Sequence, residues 1–198
     1  MKKLLSLLLS FLLLLSLSSA VFAEEESNLS WEGFGSVAGD VLGEDAHFVP
    51  IPEVNAKIWI PDYLEPVFLT DEDRANDVIA EFRSFDETQL VRITYFDAPG
   101  FTLGDYKQVL EDNGIQGVLI EVNGIPVLFY FDAESDMMIA NYITTDNFLL
   151  QIFFYPYSDE TSFFLHEVIL SSIQPDTGED VSKEAVVPVN PVSGLISK

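Results

Sequence analysis

Apolar and polar residues alternate along several stretches between residues 54 and 155, which is the period of a strand with one buried face. The alternation predicts strands over residues 54–60, 78–85, 90–97, 118–122, 127–131, 138–144 and 148–155. Asn123 and Gly124 lie between two of these strands and form the pair that a two-residue hairpin turn favours, because both central positions need a positive φ. Short turns between successive strands indicate an antiparallel sheet.

Two stretches of the chain change to a helical period. Residues 102–113 predict a helix, because apolar side chains recur three and four positions apart and Thr102 with Asp105 fits a capping box. A second helix is predicted to begin near Ser158 and to end before Pro175. The order of three strands, a helix, four strands and a helix predicts an α+β fold, with an antiparallel sheet of about six to seven strands flanked by helices.

Four short motifs resemble those of the PsbP-like superfamily of small exported bacterial domains. They are KIWIP at 57–61, TLGDY at 102–106, VNGIP at 122–126 and LSSI at 170–173. The resemblance covers about residues 50–175 and implies an α/β/α sandwich around an antiparallel sheet. It also implies a role as an adaptor or binding module, and it brings no shared catalytic residues.

The start of the chain predicts export. Two lysines precede an apolar run of about 14 residues, and small residues at Val21 and Ala23 fit a cleavage site after Ala23. The run is shorter than the roughly 20 residues of a membrane-spanning helix. We therefore expect residues 1–23 to be a cleaved signal peptide, and the mature protein to be secreted or extracytoplasmic without inserting into a membrane.

Composition divides the rest of the chain into three parts. Residues 24–47 form an acidic, glycine-rich lead segment, residues 48–175 a single α+β domain, and residues 176–198 a proline-containing tail. Whether the aromatic residues of the lead segment, Trp31 and Phe34, dock on the domain is left open by the sequence.

The charge of the chain is strongly one-sided, with 33 acidic and 9 basic residues and a net charge of −24. The basic residues are spaced widely along the sequence, which excludes a general nucleic-acid binder because such proteins need clustered Lys and Arg. The expected partner is a neutral or basic protein, a peptide or a glycan. The chain has no cysteine, which excludes disulfides, thiol catalysis and cysteine-bound zinc.

Few residues are suited to catalysis, and we expect the protein not to be an enzyme. His47 and His166 are the only imidazoles, and no Gly-x-Ser-x-Gly elbow is present. A hydrolase that uses paired carboxylates is a third hypothesis, because so many acids guarantee some close pair.

Four oxygen-bearing residues, Asp71, Asp73, Asn76 and Asp77, form a candidate calcium site. Their spacing departs from an EF-hand loop, since Ala75 takes the third ligand position and no glycine follows. The alternative is a solvated turn in which Thr70 caps a short helix. A calcium-dependent structural module of the cell surface or medium is therefore the second functional hypothesis, and no other cofactor is expected.

Aromatic residues are predicted to share one face of the sheet, where a one-sided antiparallel sheet would be polar. The residues on that face would be Trp59, Phe96, Tyr130, Tyr142, Phe153 and Tyr155. Either they form a second core layer, or they line a groove for a peptide or glycan. The first functional hypothesis is therefore an exported, non-enzymatic binding or adaptor domain whose ligand contacts are Trp59, Tyr130, Tyr142 and Tyr155.

Overall fold

The computed structural model describes residues 28–32, 34 and 46–177. The predicted signal peptide, most of the lead segment and the tail from residue 178 onward lie outside the described residues. The strands, in chain order, are β1 Asn28–Leu29, β2 Ala46–Ile51, β3 Ala56–Pro61, β4 Leu64–Pro66, β5 Val78–Ser84, β6 Leu90–Asp97, β7 Val118–Val122, β8 Ile125–Asp132, β9 Met137–Ile143, β10 Phe148–Tyr155 and β11 Gln174–Pro175. The helices are α1 Asp71–Ala75, α2 Leu103–Asp112 and α3 Glu160–Ser171.

Eight strands form the large sheet, in the order β1-β7-β8-β9-β10-β6-β5-β4. Every pair of neighbours in it is antiparallel except β1 and β7, which run parallel. The predicted α+β class with an antiparallel sheet is therefore confirmed. Most predicted strand and helix bounds agree with the structure to within two residues.

Three strands form a separate small sheet, in the order β11-β3-β2. The strand predicted over residues 54–60 corresponds to β3, so its assignment to the same sheet as the other strands was wrong. The reason is that β3 pairs along its full length with β2, from Ala46 opposite Pro61 to Ile51 opposite Ala56. Alternation in one strand gives no information about which strand lies beside it.

Local sequence explains where the main elements turn and begin. Asn123 and Gly124 have φ of 50° and 77°, as the predicted hairpin turn between β7 and β8 requires. Helix α2 begins with a complete capping box, in which the Thr102 hydroxyl accepts from the Asp105 backbone N–H and the Asp105 carboxylate accepts from the Thr102 N–H. These local devices were predicted from the sequence and are confirmed.

The large sheet separates two layers. Its core face, the side that carries Ile93, Ile152 and Phe154, packs against α3 and the small sheet in one continuous apolar core. The His166 ring of α3 lies 5.0 Å from the Phe154 ring, measured between centroids. The opposite side, which we call the outer face, carries α2 over β8 and β9 and α1 beside β5.

Trp31 and Phe34 of the lead segment dock on the domain, which answers the question that the sequence left open. The Trp31 ring centroid lies 5.6 Å from that of Phe48 and 6.0 Å from that of Trp59, in the small sheet. The Phe34 ring lies 6.4 Å from Phe164 of α3. These contacts extend the core beyond the elements predicted from residue 54 onward.

Asn123 joins the beginning and the end of the described chain. Its side-chain oxygen accepts a hydrogen bond of 3.0 Å from the Trp31 backbone N–H. Its side-chain amide donates to the carbonyl oxygens of Ser171 at 2.8 Å and Ile173 at 2.7 Å. One turn residue therefore joins its own hairpin to two segments that are far from it in sequence.

Candidate functional site

Two of the four predicted ligand contacts belong to the core, so grouping them with the other two was wrong. Trp59 lies in the small sheet, is 7% exposed, and packs against Trp31. Tyr142 is buried on the core face, where it lies opposite Leu150 of β10. For Trp59 the cause is that β3 belongs to the small sheet. For Tyr142 the cause is register, because a shift of one residue in the pairing of β9 and β10 moves every side chain to the other face.

Tyr130 and Tyr155 both lie on the outer face of the large sheet, as predicted, on strands that are separated by β9. The Tyr130 hydroxyl lies 3.4 Å from the hydroxyl of Tyr106 in α2, and burial raises the pKa of Tyr130 above its ordinary value. Tyr155 is half-buried and lies opposite Leu90 of β6. Phe153, which was predicted to share their face, lies there too.

Replacing Tyr142 tests whether its side chain is buried in the core. Its hydroxyl is buried and has no hydrogen-bond partner among the described residues, and burial raises its pKa well above the ordinary value. We expect Tyr142→Phe to leave the free energy of unfolding unchanged or to raise it by up to about 1 kcal/mol, because an unsatisfied buried hydroxyl costs stability. Chemical denaturation measures this difference, and a loss of stability would show that the hydroxyl has a partner.

The predicted calcium residues lie within and directly after the short capped helix α1. The Thr70 hydroxyl accepts from the Asp73 backbone N–H, and the Asp73 carboxylate accepts from the Thr70 N–H and hydroxyl, which lowers the pKa of Asp73. Asn76 ends the helix by donating its side-chain amide to the Glu72 carbonyl. Residues 28–32, 34 and 46–177 contain no group of three or more His, Asp or Glu side chains that could hold a metal ion. The structure thus gives calcium binding by Asp71, Asp73, Asn76 and Asp77 no support, and it stays a prediction.

One histidine is paired with a carboxylate, and the other is buried in the core. The Nδ1 atom of His47 lies 2.6 Å from a carboxylate oxygen of Asp62, at the edge of the small sheet. His166 is buried in the core, its Nδ1 atom has no hydrogen-bond partner among the described residues, and burial lowers its pKa to about 3. An imidazole with so low a pKa is a weak base, so neither the sequence nor this geometry favours His166 as a general base.

The outer face carries a group of side chains that the sequence analysis did not identify as a site. The arginine–aromatic surface consists of Arg83, Leu90, Arg92, Phe153 and Tyr155, around the buried carboxylate of Glu81. Cross-strand pairing sets it out in two rows: Glu81, Arg92 and Phe153 lie side by side on β5, β6 and β10, and Arg83, Leu90 and Tyr155 lie in the next row. Each of the five surrounding side chains is half-buried.

Glu81 anchors both guanidinium groups of this surface. Its side chain is 2% exposed, whereas those of Arg83 and Arg92 are 39% and 34% exposed. One carboxylate oxygen of Glu81 accepts from Nε of Arg83 at 2.7 Å, and the other accepts from Nε and Nη2 of Arg92 at 2.5 Å. The arginines neutralise a carboxylate that would otherwise be costly to bury, and the carboxylate fixes the direction of both arginines.

Two arginines of this chain, Arg83 and Arg92, meet at Glu81 although they lie on different strands. The protein has three, at positions 74, 83 and 92. Arg74 is the last basic residue of α1 and donates to the Leu69 carbonyl, while Asp73 of the same helix lies 3.8 Å from Arg92. The basic residues are spaced widely in the sequence, but the fold brings Arg83 and Arg92 to the same carboxylate. The alternation of polar and apolar residues places Glu81, Arg83 and Arg92 on one face, and this pattern could have predicted their grouping from the sequence.

No helix within the described ranges is both long enough and apolar enough to cross a membrane. No protein-family model matches the sequence, and no curated protein matches it.

Comparison with solved structures finds likenesses of fold. The chain is similar to the solution structure of cyanobacterial PsbP from Synechocystis, with 15% identity, a TM-score of 0.46, and coverage of 67% of this chain and 93% of that chain. It is also similar to a crystal structure of a protein from Bacteroides thetaiotaomicron, with 14% identity and a TM-score of 0.42. That match covers 63% of this chain and 46% of that chain, so this chain spans less than half of that protein. Both similarities are at low sequence identity and concern the fold alone.

Proposed function

We propose that this protein is an exported, non-enzymatic binding or adaptor domain, and that the arginine–aromatic surface is where it contacts a protein or peptide partner. The observation that carries the proposal is the grouping of two arginines with partly exposed Phe153 and Tyr155 on one sheet face. The predicted signal peptide supports export. The acidic remainder of the chain would attract basic parts of the same partner.

The composition of the surface supports an interaction role. Arginine and tyrosine are enriched among the residues that contribute most to protein interfaces, and they act there as anchors beside apolar contacts. Leu90 and Phe153 supply such contacts next to the two guanidinium groups. Since Glu81 already fixes the direction of both arginines, less side-chain entropy would be lost when a partner binds.

Site-specific photo-crosslinking in the producing cells tests this proposal. Tyr155 is replaced by p-benzoylphenylalanine in the full chain, and the same residue is placed at Phe85 as a control, because Phe85 is 96% exposed on the β5–β6 hairpin. We expect a covalent adduct at position 155 and none at position 85. Adding Arg83→Ala should abolish the adduct, because loss of an interface anchor weakens binding by about thirty-fold or more.

Arg74→Ala provides the matched control, because it removes an exposed arginine of the neighbouring helix and leaves Glu81 with both of its partners. The adduct at position 155 should persist in this variant. The proposal is overturned if no adduct forms at position 155, if the same species forms at position 85, or if Arg83→Ala has no effect on it.

A further inference from the structure

We propose that Asn123 is a spontaneous modification site that the native fold protects, so that unfolding exposes its side-chain amide to deamidation and the modified chain does not regain the native structure. The inference is independent of the proposed partner surface. It concerns the residue that joins the β7–β8 hairpin to both ends of the described chain.

The residue after Asn123 favours this reaction. Asn113 and Asn123 are the two asparagines that are followed by glycine. In deamidation, the backbone nitrogen of the following residue forms a bond to the asparagine Cγ, and its proton leaves with the side-chain NH₂ group as ammonia. The product is a cyclic succinimide, which water opens to aspartate or isoaspartate. Glycine has no Cβ to obstruct the approach of its nitrogen, so both sites are intrinsically reactive.

Three hydrogen bonds hold the Asn123 side chain in the native structure. Its Oδ1 atom accepts from the Trp31 N–H at 3.0 Å, and its Nδ2 atom donates to the carbonyls of Ser171 at 2.8 Å and Ile173 at 2.7 Å. The reaction requires the amide group to turn toward the Gly124 nitrogen and to release its own nitrogen, so these bonds must break first. Because they join segments far apart in sequence, we expect them to break together when the domain unfolds.

Asn113 is an internal comparison, because it too precedes a glycine. Asn113 and Gly114 are exposed at the end of α2. The Asn113 side-chain nitrogen donates to the Val109 carbonyl at 2.7 Å, and the Gly114 N–H donates to the Glu111 carbonyl at 2.9 Å, so both bonds lie within the last turn of one helix. Helix ends open locally at little cost in free energy. We therefore expect Asn113 to react without unfolding of the domain.

The products at position 123 do not fit the native structure. An ionised aspartate has no N–H donor, so its oxygens would lie against the carbonyls of Ser171 and Ile173 and leave them unpaired. Isoaspartate also adds one carbon atom to the backbone of a two-residue turn, whose geometry depends on its length. Either product removes the connection between the hairpin and the end of α3, which makes unfolding irreversible.

Incubation of the full chain in water that carries a heavy oxygen isotope tests the proposal, because opening of the succinimide adds one heavy oxygen to each modified residue. Peptide mapping by mass spectrometry then gives separate rates for Asn113 and Asn123 over a series of urea concentrations. The rate at Asn123 should rise by about a hundred-fold or more between buffer and the midpoint of unfolding, because it follows the unfolded fraction. The rate at Asn113 should be measurable in buffer and should depend only weakly on urea.

A core variant raises the unfolded fraction without urea. Leu165 is 2% exposed in α3, and Leu165→Ala should increase the rate at Asn123 in buffer by about thirty-fold or more, because it removes buried side-chain volume. The rate at Asn113 should be the same in this variant as in the natural protein. The urea series uses the natural protein and therefore decides the matter even if the variant does not fold.

Refolding tests the consequence of the modification. After incubation in urea and return to buffer, chains modified only at Asn113 should regain the native circular dichroism spectrum, and chains modified at Asn123 should not. The proposal is overturned if Asn123 does not react in urea, if its rate is independent of urea, if the two sites react equally fast in buffer, or if chains modified at Asn123 refold fully.

Discussion

Asn123→Ala is expected to lower the free energy of unfolding by about 3 kcal/mol, because it removes three hydrogen bonds that each contribute about 1 kcal/mol. It would leave the Trp31 N–H and the carbonyls of Ser171 and Ile173 without their present partner. The positive φ of 50° at this position adds a further cost, because alanine adopts it less readily than asparagine. Urea denaturation followed by circular dichroism measures the change.

Asn123→Gly separates the two causes of this loss. Glycine accepts a positive φ without strain, so this variant keeps the turn and removes only the side-chain hydrogen bonds. We expect most of the loss to remain, together with a rise in the fluorescence quenching of Trp31 as its backbone anchor is lost. A glycine variant as stable as the natural protein would show that the three hydrogen bonds contribute little.

The second large effect is the dependence of stability on pH, because burial shifts the pKa values of two neighbouring residues of α3 in opposite directions. Burial lowers the pKa of His166 from 6.5 to about 3 and raises the pKa of Glu167 from 4.5 to about 8. The contribution of His166 to stability is complete above pH 6.5 and is lost as the pH falls toward 3. The contribution of Glu167 is complete below pH 4.5 and is lost as the pH rises through 8. Each pKa unit corresponds to about 1.4 kcal/mol, so together they give a maximum of stability in mildly acidic solution.

Variants at the two positions should each reduce the pH dependence of stability on one side of the maximum. In His166→Gln, the decrease in melting temperature from pH 6.5 to pH 3 should be smaller than in the natural protein. In Glu167→Gln, the decrease between pH 4.5 and pH 8 should be smaller, and the variant should be the more stable protein above pH 8. Glu160→Gln, an exposed position in the first turn of the same helix, is the control and should leave both sides unchanged. Parallel profiles in all proteins would contradict the assignment.

Local sequence patterns predicted the elements of the large sheet well, because each depends on residues close together in the chain. Alternation predicted β6 and β10 with the bounds that the structure shows, and Asn123-Gly124 predicted the hairpin between β7 and β8. The pairing of strands was harder to predict, since it depends on contacts across long separations. Strand β3 was therefore placed in the wrong sheet, and β4, β1 and β11, with three residues or fewer, gave no readable pattern.

The candidate site could be predicted only in part for the same reason. Tyr130, Phe153 and Tyr155 were correctly placed on one face, but Tyr142 was misplaced because the turn between β9 and β10 does not reveal the register. The net charge of the whole chain gave no indication that two arginines share one partner. A net charge of −24 describes the average surface, whereas Glu81 brings Arg83 and Arg92 together by cross-strand pairing.

The bonds of Asn123 and Ser172 bear on the order in which the chain folds. The Trp31 N–H is bound by a residue 92 positions later, and the Trp59 N–H by the hydroxyl of Ser172, 113 positions later. During synthesis, the first segment therefore leaves the ribosome long before its partners exist, and the small sheet is completed only by the last described residues. Because contacts of long sequence separation slow folding, the domain is expected to fold late and as one unit. A chain that ends before α3 should expose Trp31 and Trp59 together.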